Sequence, residues 1–117
     1  MDATVKEKLM GLGVEVDEAL HRLMDSEDLY VAVLKQFRDD SNLERLDRAL
    51  SQGDVREAFE AAHTLKGVIS NLGMEGMMKQ LHPVVETLRS GSMDGVADML
   101  PDLRQIYDET KEIIKEL

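Results

Sequence analysis

The chain has no cysteine, only two prolines and no apolar run approaching the length of a membrane-spanning helix. Without cysteine there is no disulfide framework, thiolate metal site or thiol nucleophile, a composition compatible with a reducing compartment. A spanning helix needs roughly 20 apolar residues, and Met1 to Leu12 alternates charged with apolar residues where a secretion signal would be continuously apolar. Also missing are a glycine-rich nucleotide-phosphate loop, a serine-nucleophile elbow and a basic patch with interleaved aromatics. Basic residues are the minority, 14 Lys and Arg against 24 Asp and Glu, for a net charge of -10. That averaged field repels phosphate backbones and anionic lipid, so nucleic acid and membrane surfaces are poor partners and a protein with a local basic patch is a better one. The expectation is a soluble, cytoplasmic protein.

What is present points to helices. Hydrophobic residues make up 43% of the 117 and charged ones 32%, a balance that favours an ordered globule over an acidic disordered segment. The length suits a single domain over residues 1–117 that buries roughly two-thirds of its unfolded surface. Apolar residues recur at three-to-four spacing with few β-branched runs, so the class is all-α, and short connections between long amphipathic helices favour an antiparallel bundle, preceded by a short amphipathic segment at the N-terminus.

After that segment a helix follows Gly13-Val14-Glu15-Val16, with Ala19, Leu20, Leu23 and Met24 inward. Ser26 caps the next, whose stripe is Leu29, Tyr30, Val33, Leu34 and Phe37. Beyond Asp39-Asp40, Ser41 and Glu44 have capping-box spacing, with Leu43, Leu46 and Leu50 inward; these two segments are either separate or one bent element. Asp54 with Glu57 repeats the capping signature and opens a helix that should end at Gly73. A further helix is expected over about 75–89, and a last one capped by Ser92 with an apolar stripe from Val96 to Leu117. Pro83 and Pro101 fall inside these two, where the lost donor and crowded carbonyl predict kinks.

The middle helix carries His63. Advancing about 100° per residue puts Ala58, Ala61, Leu65, Val68, Ile69 and Leu72 on the half opposite His63, whereas Arg56, Phe59, Glu60, Lys66, Gly67 and Ser70 lie within about 60° of it. A histidine in an apolar helix is ordinarily a buried, hydrogen-bonded core residue; here the core lies behind it. A neutral imidazole nitrogen is a good nucleophile near neutral pH, Lys66 one turn on can offset the charge of an attached phosphoryl group, and Gly67 leaves room for in-line approach. Each element has a plainer account. Lys66 taken alone is an ordinary solubilising lysine, Gly67 can serve close packing of a neighbouring helix, and Phe59 can be core at a seam or an apolar docking contact.

The run Ala62-His63-Thr64-Leu65-Lys66-Gly67, followed by Asn71-Leu72-Gly73, resembles the histidine-phosphotransfer domain family of bacterial phosphorelays. The signature of that family has lysine three and glycine four residues after the phosphoacceptor histidine and a second glycine ending the helix, positions filled by His63, Lys66, Gly67 and Gly73. The resemblance implies an antiparallel four-helix bundle with an additional N-terminal helical segment, phosphorylation of an imidazole nitrogen, response-regulator receiver domains as partners, with a hybrid sensor kinase as a further one, and no nucleotide site or other cofactor in the domain. It assigns His63 as phosphoacceptor, Lys66 to charge stabilisation and Gly67 to steric access; the face that Arg56, Phe59 and Ser70 share with His63 makes them the expected docking residues. Val68 and Ile69 depart from it, being branched where members often have small residues. Some members use a polar residue of the following helix near the phosphoryl group; Lys79, Gln80 and Arg89 are candidates.

Other readings carry less. His21, His63 and His82 lie on separate segments without short ligand spacing, so no metal site is expected. Asp39-Asp40 and Glu15 with Asp17 sit at helix boundaries, where caps and solvated turns account for carboxylates better than acid-base catalysis does. The methionines, among them Met74, Met77, Met78, Met93 and Met99, are core filling by default and a tolerant docking surface otherwise. A non-catalytic helical-bundle adaptor that docks a signalling partner is the main alternative, marked by loss of His63 or Lys66, both present. A dimerising sensor-kinase hairpin is disfavoured because Thr64, not an acidic residue, follows His63 and no ATP-binding segment is present.

Overall fold

A computed structural model describes all residues, 1–117. Seven helices follow one another: α1 (Ala3–Gly11), α2 (Val16–Arg22), α3 (Glu27–Phe37), α4 (Asn42–Ser51), α5 (Val55–Asn71), α6 (Glu75–Arg89) and α7 (Val96–Ile114). The last four pack in sequence, α4 on α5, α5 on α6 and α6 on α7, and an ion pair between Asp47 and Arg104 closes α4 onto α7. This is the antiparallel bundle. The N-terminal helices add to one end of it, α1 and α3 each reaching α7, in a body of 42 × 23 × 21 Å.

The core follows the apolar spacing. Leu43 and Leu46 of α4, Leu65 and Ile69 of α5, Leu81 and Val84 of α6 and Leu103 of α7 are fully buried, each side chain contributing on the order of 1.5–3 kcal/mol of transfer free energy. Ala58, Ala61 and Ala62 of α5 are equally buried, and their small side chains let α4 and α6 approach closely. No buried side-chain nitrogen or oxygen lacks a hydrogen-bond partner. Buried Thr110 donates its hydroxyl to the Ile106 carbonyl at 2.6 Å.

Several helix ends differ from expectation for local reasons. Ser26 does cap α3, accepting from the Leu29 amide at 3.2 Å, and Asp54 caps α5, accepting from Glu57 at 3.0 Å. Ser41 makes no side-chain cap to α4. Asp40 takes that part: its carboxylate accepts from the Asn42 backbone amide at 3.0 Å and side-chain amide at 2.7 Å, and from the Tyr107 hydroxyl at 2.7 Å. Lys111 donates to the Asp40 carbonyl at 2.6 Å while lying 4.4 Å from the Tyr107 ring centre. This staple fixes the corner between α3 and α4, which are therefore separate helices, not one bent element. Ser92 does not cap α7; it accepts from the Asp94 amide at 3.0 Å in a turn, and the helix begins beyond Gly95. Helices α6 and α7 run continuously through Pro83 and Pro101.

The outermost residues of the predicted stripes also fall out of the core. Met24, expected inward, is 89% exposed because it and Asp25 form a left-handed turn, φ 55° and 58°, that ends α2. Leu29 is 45% exposed on the first turn of α3, and Leu20, Leu23 and Leu50 are half-buried at seams.

The two ends of the chain segment before α2 and after α5 are joined. Gly73 ends α5 with φ 72°, and the Met74 amide donates back to Ile69 at 3.0 Å, a left-handed closure that glycine permits. Against this turn lies Gly13 to Glu15: Glu15 donates to the Gly73 carbonyl at 2.8 Å and Gly76 to the Gly13 carbonyl at 3.2 Å, flanking an antiparallel bridge of Val14 with Met74. The N-terminal segment thus clasps the end of the helix that carries His63.

Candidate functional site

Helix α5 presents His63 to solvent from the middle of its 17 residues. Behind it Ala58, Ala61, Leu65, Ile69 and Leu72 are buried, as the projection requires. Val68, expected in that core, is only half-buried; it lies at the edge, where it lines a cavity with Val33, Phe37 and Leu72. The exposed face holds Arg56, Glu60, Gly67 and Ser70, with Phe59 and Lys66 half-buried on the side toward α6. All six residues expected around His63 therefore share its face.

The surroundings of the ring are specific. The Phe59 and His63 rings stack with centroids 5.5 Å apart and planes inclined by 20°. From α6, the Arg89 guanidinium carbon lies 5.2 Å from the Phe59 ring centre. A Cβ built on Gly67 would meet nothing within 4 Å, so this glycine does not serve helix packing and leaves open space one turn beyond the imidazole. Thr64, the neighbouring hydroxyl, is engaged in donating to the Glu60 carbonyl at 2.8 Å. None of the eight ion pairs of the molecule involves Lys66, so its ammonium is not neutralised by a carboxylate.

Of the three candidates on the following helix, Arg89 is the one brought to this face. Gln80 instead lines a depression with Leu12, Gln105 and Ile106, on the α7 side. On an ideal helix Lys79 is turned about 80° from Arg89, further out to solvent, whereas His82 is within about 20° of Arg89 on the edge facing α5. His82 is exposed there and His21 sits on α2; no three His, Asp or Glu side chains gather as metal ligands.

No deep pocket adjoins His63. The largest depression, about 540 Å³, lies near the chain termini and α3, lined by Met1, Glu27, Lys35 and Leu117. Two smaller ones of about 340 Å³ each share Val33, Asn71 and Leu72 and form one trough beside the C-terminal half of α5. Helical periodicity assigns these residues only to core or surface, since it is tertiary packing that brings α3 beside Asn71 and Leu72. An exposed imidazole on a convex helical face, with a cation beside it and clearance above, can exchange a group with a macromolecular partner; it cannot enclose a small substrate.

The family model of the Hpt domain matches residues 32–113, from within α3 to the end of α7, and so includes the whole of α4 to α6 and the His63 face. No curated protein and no solved structure matches the chain. No helix is long and apolar enough to cross a membrane. With the match covering most of the chain and the helical bundle in place, the chain belongs to the histidine-phosphotransfer (Hpt) domain family, whose members serve phosphorelays as phosphotransfer carriers.

Proposed function

We propose that His63 is the phosphoacceptor and that it receives its phosphoryl group from the aspartyl phosphate of a receiver domain. The observation that carries the reading is the exposure of the His63 ring opposite a closed core, with open space at Gly67 one turn away. In the transfer an imidazole nitrogen attacks phosphorus in line. The phosphorus–nitrogen bond forms as the phosphorus–oxygen bond to the receiver aspartate breaks, and that electron pair stays on the departing carboxylate. Lys66 offsets the charge on the equatorial oxygens. The step reverses toward a second receiver, because the acyl phosphate and the phosphoimidazole are both activated. Arg56 and Ser70 border the docking area, and a hybrid sensor kinase is the natural source of the first receiver.

The whole of residues 1–117 acts as one domain in this reading, without a nucleotide or metal of its own, in the cytoplasm. A non-catalytic adaptor is the competing account. It has no use for an unneutralised lysine and a cleared approach beside an exposed imidazole, and both are here. Incubation with phosphorylated receivers separates the two. Transfer predicts acid-labile label on the wild-type protein and none on His63→Gln; an adaptor predicts binding without label.

A further inference from the structure

Resting on that reading of His63, we infer that Phe59, held by Arg89, is a positioning residue that fixes the plane of the His63 imidazole before any partner arrives. Side chains on an α-helix lean toward its N-terminus, so residue i lies over residue i−4. Phe59 occupies that position relative to His63, and the near-parallel stack at 5.5 Å is the result. An exposed histidine otherwise samples several staggered wells, and only some of them turn a ring nitrogen toward the space above Gly67. An aromatic contact of this kind is strong enough to bias such wells by roughly 2- to 10-fold.

Phe59 is itself constrained. It is half-buried at the seam between α5 and α6, and the Arg89 guanidinium lies against it at 5.2 Å. Arg89 is in turn within 3.5 Å of the Glu86 carboxylate one turn earlier on α6. The file Glu86, Arg89, Phe59, His63 therefore couples the ring to a second helix. Ordering the imidazole in advance removes an orientational requirement from the encounter with the receiver, and this acts on the rate of transfer within the complex, not on the strength of docking. A docking contact would do the reverse.

Two readouts test the inference. In the unphosphorylated protein, nuclear magnetic resonance should give His63 a single side-chain rotamer by three-bond couplings and ring protons shifted upfield by the Phe59 ring current. In Phe59→Leu the couplings should average and the shift vanish, Phe59→Tyr should restore both, and Arg89→Met should show partial averaging with Phe59 still present. In rapid-quench transfer from a phosphorylated receiver, Phe59→Leu should lower the maximal rate roughly 3- to 10-fold with the half-saturating receiver concentration unchanged. Averaged couplings already in the wild type would overturn the inference, as would a Phe59→Leu defect confined to half-saturation. If no receiver labels the wild type, the reading of His63 as acceptor fails, while the resonance data still decide whether Phe59 orders the ring.

Discussion

Gly13 and Gly76 meet backbone to backbone: a Cβ on Gly13 would lie 2.8 Å from the Cα of Gly76, whose amide donates to the Gly13 carbonyl at 3.2 Å. The loop between α1 and α2 and the first turn of α6 come this close only because neither residue has a side chain. A Cβ on Gly76 would fall 2.1 Å from the Leu12 carbonyl oxygen, and backbone cannot swing aside as a side-chain tip can. Gly76→Ala should therefore destabilise the fold by about 2–4 kcal/mol, overpacking combined with disrupted backbone bonds outweighing any helix-propensity gain. Urea unfolding checks this; a neutral or stabilising substitution would mean the clasp is loose.

Gly67 is the opposite case on a neighbouring helix. With nothing within 4 Å of its would-be Cβ, Gly67→Ala should stabilise by up to about 1 kcal/mol through propensity alone. Gly67→Leu should keep the helix content and slow phosphoryl transfer by roughly tenfold or more, because its bulk occupies the approach to His63. Circular dichroism paired with transfer kinetics distinguishes this from unfolding.

The molecule has two tyrosines, both buried. Burial pushes the Tyr30 hydroxyl from 10.0 up to about 12, and burial together with the hydrogen bond to Asp40 raises Tyr107 well above the ordinary value. Raised folded values mean that the neutral phenols contribute stability fully present below pH 10.0 and lost as pH climbs through the folded values. Tyrosinate absorbance should accordingly stay low at pH 10.0 and appear only with loss of helix at higher pH. A titration centred on the ordinary tyrosine value with helicity intact would contradict the burial of both rings.

Acid should expose a different pair. The Arg45 guanidinium hydrogen-bonds Glu57 and holds its carboxyl below 4.5. The depressed value makes this a contribution present above pH 4.5 and lost as pH falls through the folded value. Glu57→Gln should flatten the fall in stability in that acid window, by an amount that shrinks with added salt because the pair is at the surface. Denaturation midpoints at several pH values measure it.

Much of this arrangement was readable from spacing. The limits of α6 fell where Glu75 and Arg89 place them, Asp54 capped α5 as its offset from Glu57 predicts, and the half of α5 carrying Ala58, Ala61 and Leu65 turned inward. Helical periodicity and local caps are properties of a few consecutive residues. The misses are all choices between neighbours or between distant partners. Asp40 displaced Ser41 as the cap of α4 because Tyr107 and Lys111, far along the chain, hold it in position. Met24 left the core because α2 ends in a left-handed turn that its composition does not announce. At the site, exposure of His63 followed from the projection, but the stack on Phe59 required attention to the lean of helical side chains, and the Arg89 contact required knowing the register of α5 against α6.

Trypsin offers the most direct test of the central claim, because cleavage after Arg56 and Lys66 releases residues 57–66 with His63 as the one histidine and Thr64 as the one hydroxyl residue. After exposure to a phosphorylated receiver, mass spectrometry at neutral to alkaline pH should find the added phosphoryl group on this peptide, assigned to His63 by fragmentation and lost on brief acid treatment. Phosphoryl carried instead on the peptides containing His21 or His82, or an acid-stable group on Thr64, would contradict the account.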